Sequence, residues 1–194
     1  MESTMGLRER KKAATRQAVH EAALRLTVEH GLDHVTVEAV ADAAGISRRT
    51  FSNYFTTKED AVLWGEERQI STFVQAVRGR PAGESAWAAM RAAVHALSPA
   101  SGSPEREWAV RTRLAMRHPS LLARQLGNHA MLEHELAEAA AERGTGGSAR
   151  PRVIAAAFLS ALRIAMYQWI EDDLSRDPRV LIDEILDEMS EPFV

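Results

Sequence analysis

Arg48, Arg49, Asn53 and Lys58 lie within a stretch of eleven residues. Their types suit one kind of chemistry. A guanidinium presents paired donors that match guanine O6 and N7, a carboxamide can read adenine, and an ammonium neutralises a phosphate. Thr36, Ser47, Thr50 and Tyr54 add hydroxyls in the same neighbourhood. Position strengthens the reading. Arg48 and Arg49 fall in the first turn of a helix that Ser47 is placed to cap. Lys58 falls in the first turn of the next helix, after a cap at Thr56 or Thr57. Cations there oppose the helix dipole, which favours negative charge at an N-terminus by about 0.3–1 kcal/mol. A phosphate arriving at those ends removes the conflict and uses the free backbone N–H groups. The expected partner is double-stranded DNA.

Such a set needs short, well-ended helices to hold it. Helix 1 is predicted from about Arg8 to His30, with Val19, Ala22, Ala23 and Leu26 forming one apolar stripe and Gly31 ending it. Thr36 caps a second helix, where Val37, Val40, Ala41 and Ala44 repeat the spacing. Gly45 supplies a turn. The third helix runs from Ser47 to near Phe55, with Phe51 and Phe55 facing inward beside Ile46 and with Ser47, Arg48, Arg49, Ser52, Asn53 and Tyr54 left on the outside. Two short helices joined by a glycine turn, the second with a polar outer face, describe a helix-turn-helix.

The stretch Thr36 to Ala61 reads TVEAVADAAGISRRTFSNYFTTKEDA. It resembles the DNA-binding signature of the TetR family of regulators, and with helix 1 the resemblance covers about a third of the chain. It implies an all-helical, homodimeric transcription factor, usually a repressor, with an N-terminal reader and a divergent C-terminal domain that binds a small effector. By position, Arg48, Arg49, Thr50 and Asn53 would meet bases or nearby backbone. Thr36, Tyr54 and Lys58 would hold phosphates. Ser52 stands where the family often has an aromatic residue. A palindromic operator is the expected target. Arg8, Arg10, Lys11, Lys12 and Arg16 form a second basic cluster, which reads as an arm able to reach the minor groove or the backbone.

The rest of the chain sets the frame. With 24 basic and 27 acidic residues the net charge is −3, so any attraction to DNA must be local. No segment alternates with period two, alanine is abundant, and glycine or proline marks the breaks, so the fold class is all-α with about nine helices. Residues 1–64 read as the DNA-binding domain and 65–194 as an effector-binding and dimerisation domain. Helix 4 is expected to run on to about Val77. Later helices are expected near Ser85–Leu97, Glu105–Arg117, Ser120–Arg143, Pro151–Glu171 and Pro178–Met189, with a low-complexity loop at Gly144–Ala149. The apolar run Val153–Ile170 and the stripe Leu181, Ile182, Ile185, Leu186 and Met189 suit a four-helix dimer contact.

An effector pocket would draw on Trp87, Met90, Trp108, Arg111, Met116, Met131, Phe158, Leu162, Arg163 and Met166, because aromatics and methionines make an adaptable apolar cavity. Val94 and Trp169 belong to the same set. Arg163, inside an apolar helix, can bind an anionic head group, pair with an internal acid, or lie at a subunit contact. The region Glu107–Ile170, with its Arg-x-Arg and His118-Pro119, is similar to a branch of the family described as having an acyl-CoA-like ligand-binding domain. That resemblance implies an amphipathic effector; another lipophilic or planar molecule is the alternative.

Other classes fit poorly. There is no cysteine, hence no disulfide framework or thiolate metal site. No phosphate loop or nucleophile motif is present, so no catalytic residues, metal or cofactor are expected. His129 and His134 are five apart and do not share a helix face. Met1–Leu7 lacks the apolar core of a signal peptide, and Val153–Ile170 is short for a membrane span and carries Arg163. A cytoplasmic protein without membrane attachment is expected. The competing class is a non-catalytic helical interaction module, against which the basic starts of two successive helices argue.

Overall fold

A glycine ends the first helix, as expected: α1 spans Leu7–His30, and Gly31 follows at φ +78°, its N–H bonded to the Thr27 carbonyl at 2.9 Å. The computed structural model describes residues 6–97, 103–144 and 147–190, with the side chains of Glu67 and of 103–108 left aside. Among these residues there are ten α-helices, one 3₁₀ turn at Leu32–His34, and no strand.

Side-chain caps place the next three helices. Thr36 Oγ1 accepts the Ala39 N–H at 3.1 Å and starts α2, Val37–Ala43. Gly45 turns the chain at φ +68°, a conformation costly for any residue with a Cβ. Ser47 Oγ accepts the Thr50 N–H and starts α3, Arg48–Ser52. The cap of α4, Lys58–Val62, is Thr57, which shares a reciprocal capping box with Asp60. Helix 4 does not continue to Val77. Gly65, at φ +98°, separates α4 from α5, Glu66–Arg78, because a left-handed residue cannot carry the hydrogen-bond ladder onward.

The remaining helices are α6 (Ala86–Leu97), α7 (Ser103–Arg117), α8 (Pro119–Ala141), α9 (Arg150–Glu171) and α10 (Pro178–Ser190). Of the Gly144–Ala149 loop, positions 145 and 146 lie outside the described residues, as do 1–5 of the basic arm's approach.

Two compact units result, and they do not part at a single point in the chain. The first comprises the residues up to Gly65 and Val110–Ala123; the second comprises Glu66–Ala109 and the residues from Arg124 onward. The first unit buries Val19 and Ala23 of α1, Val40 of α2, Phe51 of α3 and Val62 of α4 together with Leu114 and Leu121. His20, also buried, donates from Nδ1 to the Ala61 carbonyl at 2.8 Å, tying α1 to α4.

The second unit is built around Phe158 of α9. Phe73 stacks on it at 6.3 Å, and Trp87 meets it edge-on at 5.3 Å. Met90, Leu136, Leu181 and Leu186 complete the centre. Arg143 closes the α5–α6 connection by donating to the carbonyls of Val77, Arg80, Pro81 and Glu84. The turn into α10 passes through Asp173 and Leu174 at φ 52° and 58°. It is secured by the Leu174 N–H on Trp169 O and by the Trp169 indole on Arg176 O.

Arg91 of α6 clasps α10, with Nε on Asp183 at 2.7 Å and Nη1 on Asp187. His95 reaches the same Asp183 at 3.0 Å. The Arg91 hydrogen bond, aided by its charge, holds the Asp187 carboxyl below its ordinary range. A carboxyl depressed in the folded state stabilises above its unfolded pKa, and that contribution is lost as pH falls through the lowered value. Asp187→Asn should therefore lower the thermal midpoint slightly at pH 7, since the pair is exposed. The gap from the parent should narrow in a pH series of melting curves as pH falls through the lowered Asp187 value, where the carboxyl becomes neutral like the amide.

Candidate nucleic-acid interface

Recognition helix α3 has five residues and stands on two phenylalanines. Phe51 is 1% exposed and Phe55 lies one turn on, with ring centroids 5.7 Å apart. Anchoring that edge turns Ser47, Arg48, Arg49, Ser52 and Asn53 to the surface and leaves Thr50 and Tyr54 half-buried. Of the sequence-predicted readers, Arg48 and Arg49 on α3 and Asn53 at its C-cap are thus exposed, and Thr50 is half-buried.

Their electrostatic states differ. Arg48 Nη1 pairs with Glu38 of α2 at 2.8 Å. Arg49 is exposed, with no carboxylate at ion-pairing distance among the described residues. Ser47 and Thr50 share a hydroxyl contact at 2.9 Å beside the cap, which fixes the helix start. Thr36 spends a lone pair on its cap and keeps its O–H for donation.

Lys58 is half-buried, and its Nζ donates to the carbonyls of Leu32 at 2.6 Å and Val35 at 2.9 Å. The ammonium therefore ties α4 to the 3₁₀ turn ahead of α2, and a third N–H remains. Arg16 of α1 lies over the Tyr54 ring, 5.7 Å from its centroid. These contacts join residues far apart in the chain, and no spacing rule announces them.

Releasing Arg48 should strengthen binding to nucleic acid. Glu38 is exposed and holds the guanidinium in place, so Glu38→Gln removes the competing anion and one negative charge. The expected result is roughly a two- to tenfold gain in affinity at low salt, shrinking as salt rises. Fluorescence anisotropy across a salt series reads it directly.

The basic cluster sits at the start of the first helix. Helix α1 begins at Leu7, so Arg8, Arg10, Lys11 and Lys12 project from its exposed first turns, and Arg16 belongs to the Tyr54 stack.

The expected pocket residues divide. Met90, Phe158 and Met166 are buried in the second unit's core, with Trp87 and Leu162 packed against it. Met131 lies on the surface of the same unit and lines a cleft of about 290 Å³ with Ile70, Ser71, Val74, Gln75 and Glu135. Arg111 is 1% exposed, and both it and Met116 fall in the first unit; Met116 is 64% exposed. They are not part of that cleft, because α7 passes from one unit into the other at Val110. Arg163 is exposed, which excludes the buried internal pairing. Trp108 sits in α7, and its side chain lies outside the described residues.

Comparison with known proteins completes the picture. Residues 20–63 match the family described as bacterial regulatory proteins, tetR family, and residues 84–194 match the MftR C-terminal domain. The HTH-type transcriptional regulator TcmR of Streptomyces glaucescens is 34% identical over 173 residues, covering 84% of this chain and 76% of TcmR. The chain belongs to the TetR family. It is a DNA-binding transcriptional regulator and not an enzyme. The putative mycofactocin biosynthesis regulator MftR of Mycobacterium tuberculosis is 28% identical over 170 residues, covering 84% of each chain. Among solved structures, Thermus thermophilus FadR, a TetR-family repressor in complex with lauroyl-CoA, superposes with a TM-score of 0.64. It is 19% identical and covers 92% of this chain and 95% of FadR, a likeness of fold. The helix-turn-helix described above lies within residues 20–63, the stretch that matches the tetR family.

Proposed function

We propose that this regulator is a repressor that binds a palindromic operator as a homodimer and leaves it when a small amphipathic molecule enters the second unit. The observation that carries the DNA part is the single exposed face bearing Arg49 and Asn53 on a helix anchored by Phe51. Arg48, Arg49 and Asn53 read bases; Thr36, Tyr54 and Lys58 hold the phosphates on either side. The protein acts in the cytoplasm, where its operator is.

The apolar outer face of α9 supports the dimer. While Phe158, Leu159, Met166 and Trp169 point inward, Val153, Ile164 and Tyr167 are exposed, as is Val180 of α10. Burying that face against a second copy would supply the two reading heads that half-sites about 34 Å apart require.

The cleft beside Met131 supports the effector. At about 290 Å³ it lies at the small end of ligand sites, so a ligand enters by parting α5 from α8. An acyl chain would lie against Ile70, Val74 and Met131, with Ser71, Gln75 and Glu135 left to meet polar groups, and FadR from Bacillus subtilis was solved in complex with stearoyl-CoA. One observation favours a planar, lipophilic ligand instead. The Trp87 indole N–H is buried beside Phe158 with no acceptor among the described residues, and a polar atom on a flat ring would satisfy it.

A mobility-shift assay with DNA upstream of the regulator's own gene tests the whole reading. Salt-sensitive, sequence-specific binding that lauroyl-CoA weakens and free CoA does not would support the acyl effector. Equal lauroyl-CoA affinity with and without operator would count against it, because linkage requires the coupling to be reciprocal.

A further inference from the structure

The outer face of α9 carries charge as well as apolar surface. Arg163 and Glu171 are both exposed, and no ion pair engages either among the described residues. Tyr167 stands between them, 37% exposed, four residues from each. Ile164 is 45% exposed beside it, and the half-buried Ser160 continues the same face. Among the described residues Arg163 makes no ion pair within the subunit. The charge of Arg163 is felt by His129 of α8, whose imidazole is held below its ordinary pKa by burial first and by Arg163 second, while Glu133 acts the other way. An arginine covered by an apolar interface without an acid would be costly, so whatever covers this face must bring a carboxylate.

A second copy of the chain brings one in the right place. We propose that α9 packs antiparallel on the α9 of a second copy with the two-fold axis at Tyr167, so that Arg163 of each subunit pairs with Glu171 of the other. A two-fold axis through one residue places positions equally far before and after it opposite each other. Arg163 and Glu171 satisfy that condition about Tyr167, and the symmetry makes the pair twice. The three residues share one i±4 ridge, and two such ridges interdigitate when helices cross at about −50°. Ser160 keeps the approach close at the flank, and Ile164 fills the space beside the tyrosines. This register rests on the dimer proposed above and specifies which copy-to-copy contacts choose it.

Charge swapping tests it without loss of apolar area. The full-length parent, Arg163→Glu, Glu171→Arg and the double variant are compared by sedimentation velocity and native mass spectrometry, with helicity checked by circular dichroism. Each single swap sets two like pairs across the axis and should weaken its own homodimer at least roughly tenfold. Mixing the two single variants should restore the parent's affinity as a heterodimer, since each then supplies the other's missing sign. The double variant should dimerise like the parent.

Unchanged single variants, or a statistical mixture of homo- and heterodimers, would overturn the register while leaving the dimer standing. A parent chain that stays monomeric at tens of micromolar would overturn both. A variant too poorly folded alone still reports through its partner, because heterodimer recovery on mixing requires the pairing.

Discussion

Arg49→Ala should make the regulator indifferent to one base pair in each half of its operator. The guanidinium is exposed on α3 and has no carboxylate to leave behind, unlike Arg48, which must first part from Glu38. A bidentate contact to guanine discriminates by about 1–3 kcal/mol. The proposed palindrome would make the contact twice, so the expected loss on the full operator is roughly 30-fold to 25,000-fold. The measurement is a set of anisotropy titrations in which each operator base pair is changed in turn. The parent should lose affinity at the contacted pair, and the variant should show no further loss there. A uniform loss that includes unrelated DNA would identify Arg49 as a phosphate contact instead. Lys58 makes a poorer probe of phosphate binding than its position suggests. Its ammonium also serves the Leu32 and Val35 carbonyls, so replacing it lowers stability and affinity together.

Phe51→Ala should have the largest effect on stability. Truncating a fully buried phenylalanine costs about 3–5 kcal/mol, the lost transfer energy plus the cavity that remains. That is a large share of what a small domain possesses. The site suffers more than the average. Helix α3 has five residues, too few to persist by its own hydrogen bonds, and it takes its position from Phe51 packed on Phe55. Thermal unfolding should show an early loss of the first unit, and operator affinity should fall even at temperatures where most helicity survives. Phe51→Leu should keep most of both, because it refills much of the volume.

The helix-turn-helix was readable from sequence because local rules determine it. Thr36 and Ser47 cap, Gly31 and Gly45 turn, and Phe51 with Phe55 define an inner edge. Each needs only a few neighbouring residues. The break at Gly65 was not readable. A lone glycine in a helical pattern costs about 1 kcal/mol and is often tolerated, so only the conformation shows that the helix ends there.

The Arg48–Glu38, Lys58–Leu32 and Arg16–Tyr54 contacts join different elements, and no periodicity encodes them. The assignment of Val110–Ala123 to the first unit was hidden for the same reason, and it places Arg111 and Met116 in a different unit from the cleft beside Met131. Arg163 was ambiguous because α9 is apolar nearly all round. A weak amphipathic signal leaves the inner face undefined until Phe158 and Trp169 are seen to point inward.

The shortness of α3 bears on how much information the protein can extract from a genome. A five-residue helix brings about four side chains to base edges, hence roughly four base pairs per half-site. The two half-sites of the proposed palindrome would then distinguish at most roughly 65,000 sequences, fewer than the million or more positions a genome offers. Direct reading alone would leave roughly fifteen or more chance matches. The missing bits must come from the fixed distance between half-sites and from how readily the intervening DNA bends. Whatever sets the separation of the two heads is therefore part of the address, and changing it erases the address without touching a single base contact.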